Sequence, residues 1–160
     1  MFKTLRKTLL MTVLVVIVLA GCGSEKSWKQ GDPVELPTEA AEFADLVLEI
    51  DREGDELAFE ARCKAPAEFT EVKVEVRTEG SVESARYAIT PEDEYGTVKC
   101  EPGAAWLQGQ TPVFDELETG EELWVRLEFH KPDGYGAAKE HLYLMGTDGH
   151  LRDGAGSVWQ

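Results

Sequence analysis

The chain has 160 residues, 31 of them acidic against 16 basic, for a formal net charge of −15. A balance so strongly negative repels phosphate backbones and anionic headgroups, which excludes nucleic-acid binding and a polybasic membrane contact as its working mode. The length suits one domain of ordinary size with a real core.

Met1 to Lys7 is a short basic start, Thr8 to Leu19 is almost wholly apolar, and the segment closes on Leu19-Ala20-Gly21-Cys22. A basic start, a short apolar core and a small-residue end describe an export signal. The apolar run falls short of the roughly 20 residues that a spanning helix needs. Its last four residues resemble the lipobox of bacterial lipoproteins at every position. The resemblance implies that residues 1–21 are removed, that Cys22 carries diacylglycerol and usually a further acyl chain such as palmitate, and that the mature protein is held by membrane lipid. The expected location is the cell membrane or outer membrane, outside the cytoplasm. Three of the 16 basic residues and none of the acidic ones lie in Met1–Gly21, so the mature chain carries 13 against 31, or −18, over 139 residues.

With Cys22 assigned to lipid, Cys63 and Cys100 are left, an even count in an exported chain, and a disulfide between them is expected. Residues 22–42 are polar, with Gly31, Pro33 and Pro37, and read as a flexible acidic tether in which Thr38 to Glu42 forms at most a brief helical turn. The folded domain is expected over 43–160. From Phe43 the apolar period becomes two, the mark of half-buried strands. Leu46, Leu48 and Ile50 share one face; after a turn at Asp51 to Asp55, Leu57, Phe59, Ala61 and Cys63 share another, and Val72, Val74 and Val76 a third. Val82 to Ile89 is a weaker strand, Tyr95 to Cys100 follows with Val98 and Cys100 on one face, Glu101 to Gln110 reads as irregular, and a short strand is expected near Thr111 to Asp115.

Leu117-Glu118-Thr119-Gly120-Glu121-Glu122-Leu123-Trp124-Val125-Arg126-Leu127 is similar to the corner before strand F of fibronectin type III and related immunoglobulin-like sandwiches, Leu-x-Pro-Gly-x-x-Tyr-x-Val-x-Val. Leu117, Gly120, Val125 and Leu127 fit, whereas Thr119 replaces the usual Pro and Leu123 the usual Tyr, which removes the corner hydrogen bond of such folds. Lys131 to Gly136 holds a Pro-Asp-Gly turn, Ala138 to Met145 returns as a strand, and Gly146 to Gln160 is either a last hairpin or a loose tail. Short strands at even spacing, with no helical stretch between them, predict an all-β fold: a single immunoglobulin-like antiparallel β-sandwich preceded by a signal helix and a tether.

Catalytic motifs are lacking: there is no Gly-x-Ser-x-Gly, no His-Glu-x-x-His and no phosphate-cradling glycine loop. No enzyme activity and no cofactor are expected. Trp124, Arg126 and His130 share the outward face of one strand and mark a candidate partner surface for an envelope protein or extracytoplasmic ligand. His141, Met145 and His150 lie within ten residues and form an alternative soft-metal set suited to copper. The acidic turns Asp51, Glu53, Asp55 and Glu92, Asp93, Glu94 offer oxygen ligands of the kind Ca²⁺ takes, without the 12-residue loop pattern. The expected role is a non-catalytic binding or scaffolding module.

Overall fold

The computed structural model describes residues 32–79, 85–91, 96–103 and 105–159. The export segment, Cys22 and the acidic triplet at 92–94 lie outside the described residues. Among the described residues eleven strands follow in chain order: β1 Thr38–Glu42, β2 Leu46–Glu53, β3 Glu56–Cys63, β4 Ala67–Phe69, β5 Glu71–Thr78, β6 Ala85–Ile89, β7 Val98–Cys100, β8 Ala105–Thr111, β9 Glu122–His130, β10 Gly136–Met145 and β11 Leu151–Trp159. They form one sheet in the order β1-β2-β3-β8, a second in the order β11-β10-β9-β5-β6, and a small β4-β7 pair. Every pairing is antiparallel. β2-β3-β8 facing β10-β9-β5-β6 is the Greek-key strand order of an immunoglobulin-like sandwich, with β1 and β11 added at the edges.

The period-two residues build the core. Leu46, Leu48 and Ile50 of β2 and Leu57, Phe59, Ala61 and Cys63 of β3 meet Val72, Val74 and Val76 of β5 and Leu123, Val125, Leu127 and Phe129 of β9, none more than 4% exposed. Aromatic edges close one end, where Phe129 meets Phe43 and Phe69 with ring centroids 4.9 and 5.4 Å apart.

Four stretches differ from expectation. Thr38–Glu42 is a strand, not a helical turn, so the sheet begins inside the stretch read as tether; a register shift between Glu39 and Ala41 lets the consecutive Ala40 and Ala41 both bury. The chain joins the fold earlier still, at the Pro33–Arg152 bridge and the Val34 N–H to Leu151 C=O hydrogen bond of 2.7 Å. Ala105–Thr111, read as irregular, is β8, and residues 114–116 form a turn where a strand was expected. The inward face of β8 is Leu107, Gly109 and Thr111, paired with Ala61, Phe59 and Leu57. Glycine hides that alternation because Phe59 fills its space: a Cβ on Gly109 would lie 2.4 Å from Phe59 Cζ. The C-terminal stretch, by contrast, takes the first of its two expected forms, a hairpin with β11 paired to β10 from Met145↔Leu151 to Ala138↔Trp159.

The corner before β9 is rebuilt without its tyrosine. Gly120 takes φ +88°, donates its N–H to Met145 C=O at 2.8 Å, and Met145 N–H donates to Glu121 C=O at 3.0 Å. The Glu121 carboxylate accepts Glu118 N–H at 2.8 Å. Leu123, in the tyrosine's place, is paired in register with Tyr143 of β10. Tyr143 is 1% exposed, and among the described residues its hydroxyl has no hydrogen-bond partner. Burial, aided by the Asp153 charge, pushes its phenol pKa well up. A buried, unsatisfied hydroxyl costs free energy. Tyr143→Phe is therefore expected to raise stability by ~1 kcal/mol, read as a higher urea midpoint at unchanged m-value.

Cys63 and Cys100 are bonded, with Cα atoms 6.0 Å apart and 37 residues of separation, tying β7 and its partner β4 to the end of β3. For a loop of that length the chain-entropy account gives a stabilisation of about 4 kcal/mol. Replacing both cysteines with Ala is expected to lower unfolding free energy by ~2–4 kcal/mol in denaturant titrations.

Candidate functional site

Trp124, Arg126 and His130 do share the outward face of β9, which runs through the middle of the five-stranded sheet. Register sets their neighbours: Arg77 lies beside Trp124, Glu75 and Glu140 beside Arg126, and Glu71 beside His130. The Arg77 guanidinium sits 4.9 Å above the Trp124 ring and pairs with Glu140 at 2.9 Å, so the indole is half-buried under a cation. Arg126 Nη2 reaches Glu128 at 2.8 Å and His130 Nε2 reaches it at 3.1 Å. Lys73 pairs with Glu71 at 2.7 Å and Arg86 with Glu75 at 3.5 Å. The result is a lattice of alternating charges around a shallow groove of about 390 Å³ between Lys73, Glu75, Arg86, Arg126 and Glu128.

Glu128 is the hinge of that lattice. Partial burial opposes its charge, but hydrogen bonds from His130 and Arg126, with the Arg126 and Lys73 charges, outweigh this and hold its carboxyl below the ordinary range. A carboxylate depressed in the folded state contributes stability above its unfolded pKa and loses it as pH falls through the folded value. Glu128→Gln is therefore expected to lower stability near neutral pH by up to ~1 kcal/mol, with the gap to the parent closing as pH is lowered through and below the ordinary carboxylate range in parallel urea titrations.

The three residues of the alternative metal set have different surroundings. Met145 is buried in the core cluster, while His150 is exposed in the turn before β11. His141 stacks on Tyr143 with centroids 4.3 Å apart, and its Nε2 meets Asp153 Oδ1 at 2.5 Å. Among the described residues no group of three or more His, Cys, Asp or Glu is placed to hold a metal ion. Two acids of the β2–β3 turn are engaged separately: Asp51 Oδ1 accepts Arg52 N–H, and Glu53 Oε2 accepts Gln110 Nε2–H. Cys63 and Cys100 are consumed by their bond, so no thiol nucleophile comes from them.

A larger groove, of about 550 Å³, has no counterpart among the candidate sites of the sequence. It lies on the outward face of the four-stranded sheet, where Glu49, Asp51 and Glu53 of β2, Glu60 and Arg62 of β3, and Gln108 and Gln110 of β8 converge over Ala58. Arg62 is shared between Glu49 at 3.3 Å and Glu60. Four carboxylates and one guanidinium thus line the groove. Tyr135, in the β9–β10 turn, is the one large apolar side chain exposed among the described residues; it stands singly and makes no docking patch.

No protein-family model, curated protein or solved structure matches this chain. Its own residues carry the functional reading.

Proposed function

We propose that the chain is a bacterial cell-envelope lipoprotein whose export segment is removed, whose Cys22 is acylated, and whose sandwich is a non-catalytic binding module held by membrane lipid outside the cytoplasm. The observation that carries this reading is Leu19-Ala20-Gly21-Cys22 placed directly after a basic start and an apolar core. A disulfide between the two remaining cysteines agrees with an oxidising compartment. The join at Pro33 leaves ten residues, 23–32, after Cys22. Even fully extended they reach ~35 Å, so an acylated Cys22 keeps the domain close to the bilayer. Two or three acyl chains give stable anchoring where one gives only marginal binding.

The test is Cys22→Ala expressed in a bacterial host fed a labelled fatty acid. The parent is expected to take up label and sediment with membranes, and the variant to lose the label and keep its first 21 residues. Equal labelling of the variant would refute the assignment.

A further inference from the structure

β8 is an edge strand: it pairs with β3 on one side, and among the described residues no strand pairs with it on the other. Its seven residues, Ala-Trp-Leu-Gln-Gly-Gln-Thr, include no charge, whereas each of the other ten described strands holds at least one, in a chain that is 29% charged. Edge strands are commonly protected by Lys, Pro or a bulge, because a bare edge is a template for another strand. β8 has neither Lys nor Pro, and its one irregularity lies at its start, between Ala61 and Arg62 of its partner.

The polar groups of that edge can be placed. The Gln110 C=O accepts the Tyr87 hydroxyl of the opposite sheet at 2.5 Å, so it points away from β3. In an antiparallel ladder, residues two apart present their backbone groups to the same side. Gln108 therefore offers its N–H and C=O to the open edge, and both Gln side chains are exposed on the outward face. Beside them lies the acidic groove, with Glu53 bonded to Gln110 and with Asp51, Glu49 and Glu60 further across the sheet.

We propose that β8 and this groove form a strand-addition site for an extended, cationic segment of a partner protein. Backbone hydrogen bonds to Gln108 extend the four-stranded sheet by one strand, and alternate Lys or Arg side chains of the segment reach the carboxylates of Glu53 and Glu60. This names a partner class for the binding module and rests on that part of the proposed function, independently of the lipid on Cys22.

The test uses the full-length protein in detergent and a labelled peptide of alternating Lys and Val. Controls are a peptide of alternating Glu and Val, and one of equal Lys content interrupted by Pro. The Lys-Val peptide is expected to bind and both controls to bind at least about tenfold more weakly. Gln108→Pro removes the edge donor without breaking the β3 ladder and is expected to weaken binding about tenfold. Glu53→Gln with Glu60→Gln keeps the edge and is expected to weaken binding and flatten its salt dependence. Absence of Lys-Val binding, or equal binding of the Pro-interrupted peptide, would overturn the proposal. So would a concentration-dependent dimer lost in Gln108→Pro without peptide binding, which would assign the edge to a second copy of this chain. Each of these failures would leave fatty-acid labelling at Cys22 untouched, so the anchor and the edge are tested separately.

Discussion

Packing between the two sheets, Val72, Val74 and Val76 with Leu123 to Phe129 on one side and Leu46 to Ile50 with Leu57 to Cys63 on the other, is the contact on which the rest of the molecule hangs. A hairpin alone is marginal in water, and each of these side chains adds roughly 1.5–3 kcal/mol only when the facing sheet covers it. Because side chains alternate, burying one set fixes the register of every strand and turns the complementary set outward. The outer faces are consequences of the core, and so are the positions of their charges.

Those faces differ in electrostatic character. Outside the five-stranded sheet, Lys73, Arg77, Arg86 and Arg126 are each paired with a glutamate, so the face is locally balanced despite the acidity of the chain. Exposed pairs of this kind contribute little individually, and their effect is to make the surface well solvated. Outside the four-stranded sheet the carboxylates outnumber Arg62, leaving a field that favours cations. Trp124, the outward aromatic of the first face, is already covered by Arg77, which weakens its case as a docking residue.

Strands with large apolar residues at every second position, β2, β3, β5 and β9, are legible from sequence because burial on one face leaves a period-two pattern. β8 escapes that reading since its central inward residue is Gly109, and the volume belongs to Phe59 on the neighbouring strand. β1 escapes it because a register shift buries two consecutive alanines. At the end of β10, Leu142, Tyr143, Leu144 and Met145 are all buried, so alternation cannot tell one face from the other. The pairing of Cys63 with Cys100 follows from a count of cysteines once Cys22 is set aside. The acidic groove has no local signature at all: Glu49, Glu60 and Gln108 come together only through the register of three strands.

The join at Pro33 and Val34 has a mechanical meaning. A pull on the chain ahead of Pro33 meets first the single Val34–Leu151 hydrogen bond and the bridge to Arg152, and then β1, which is gripped along its length by β2. β1 and β8 are opposite edges of one sheet. Tension between a tether at the first and a load on the second would cross the β1-β2, β2-β3 and β3-β8 ladders in series, while the five-stranded sheet is coupled to that path through side-chain packing and through the join of Pro33 and Val34 to β11. The four-stranded sheet is in this sense the molecule's tendon, and the other sheet its brace.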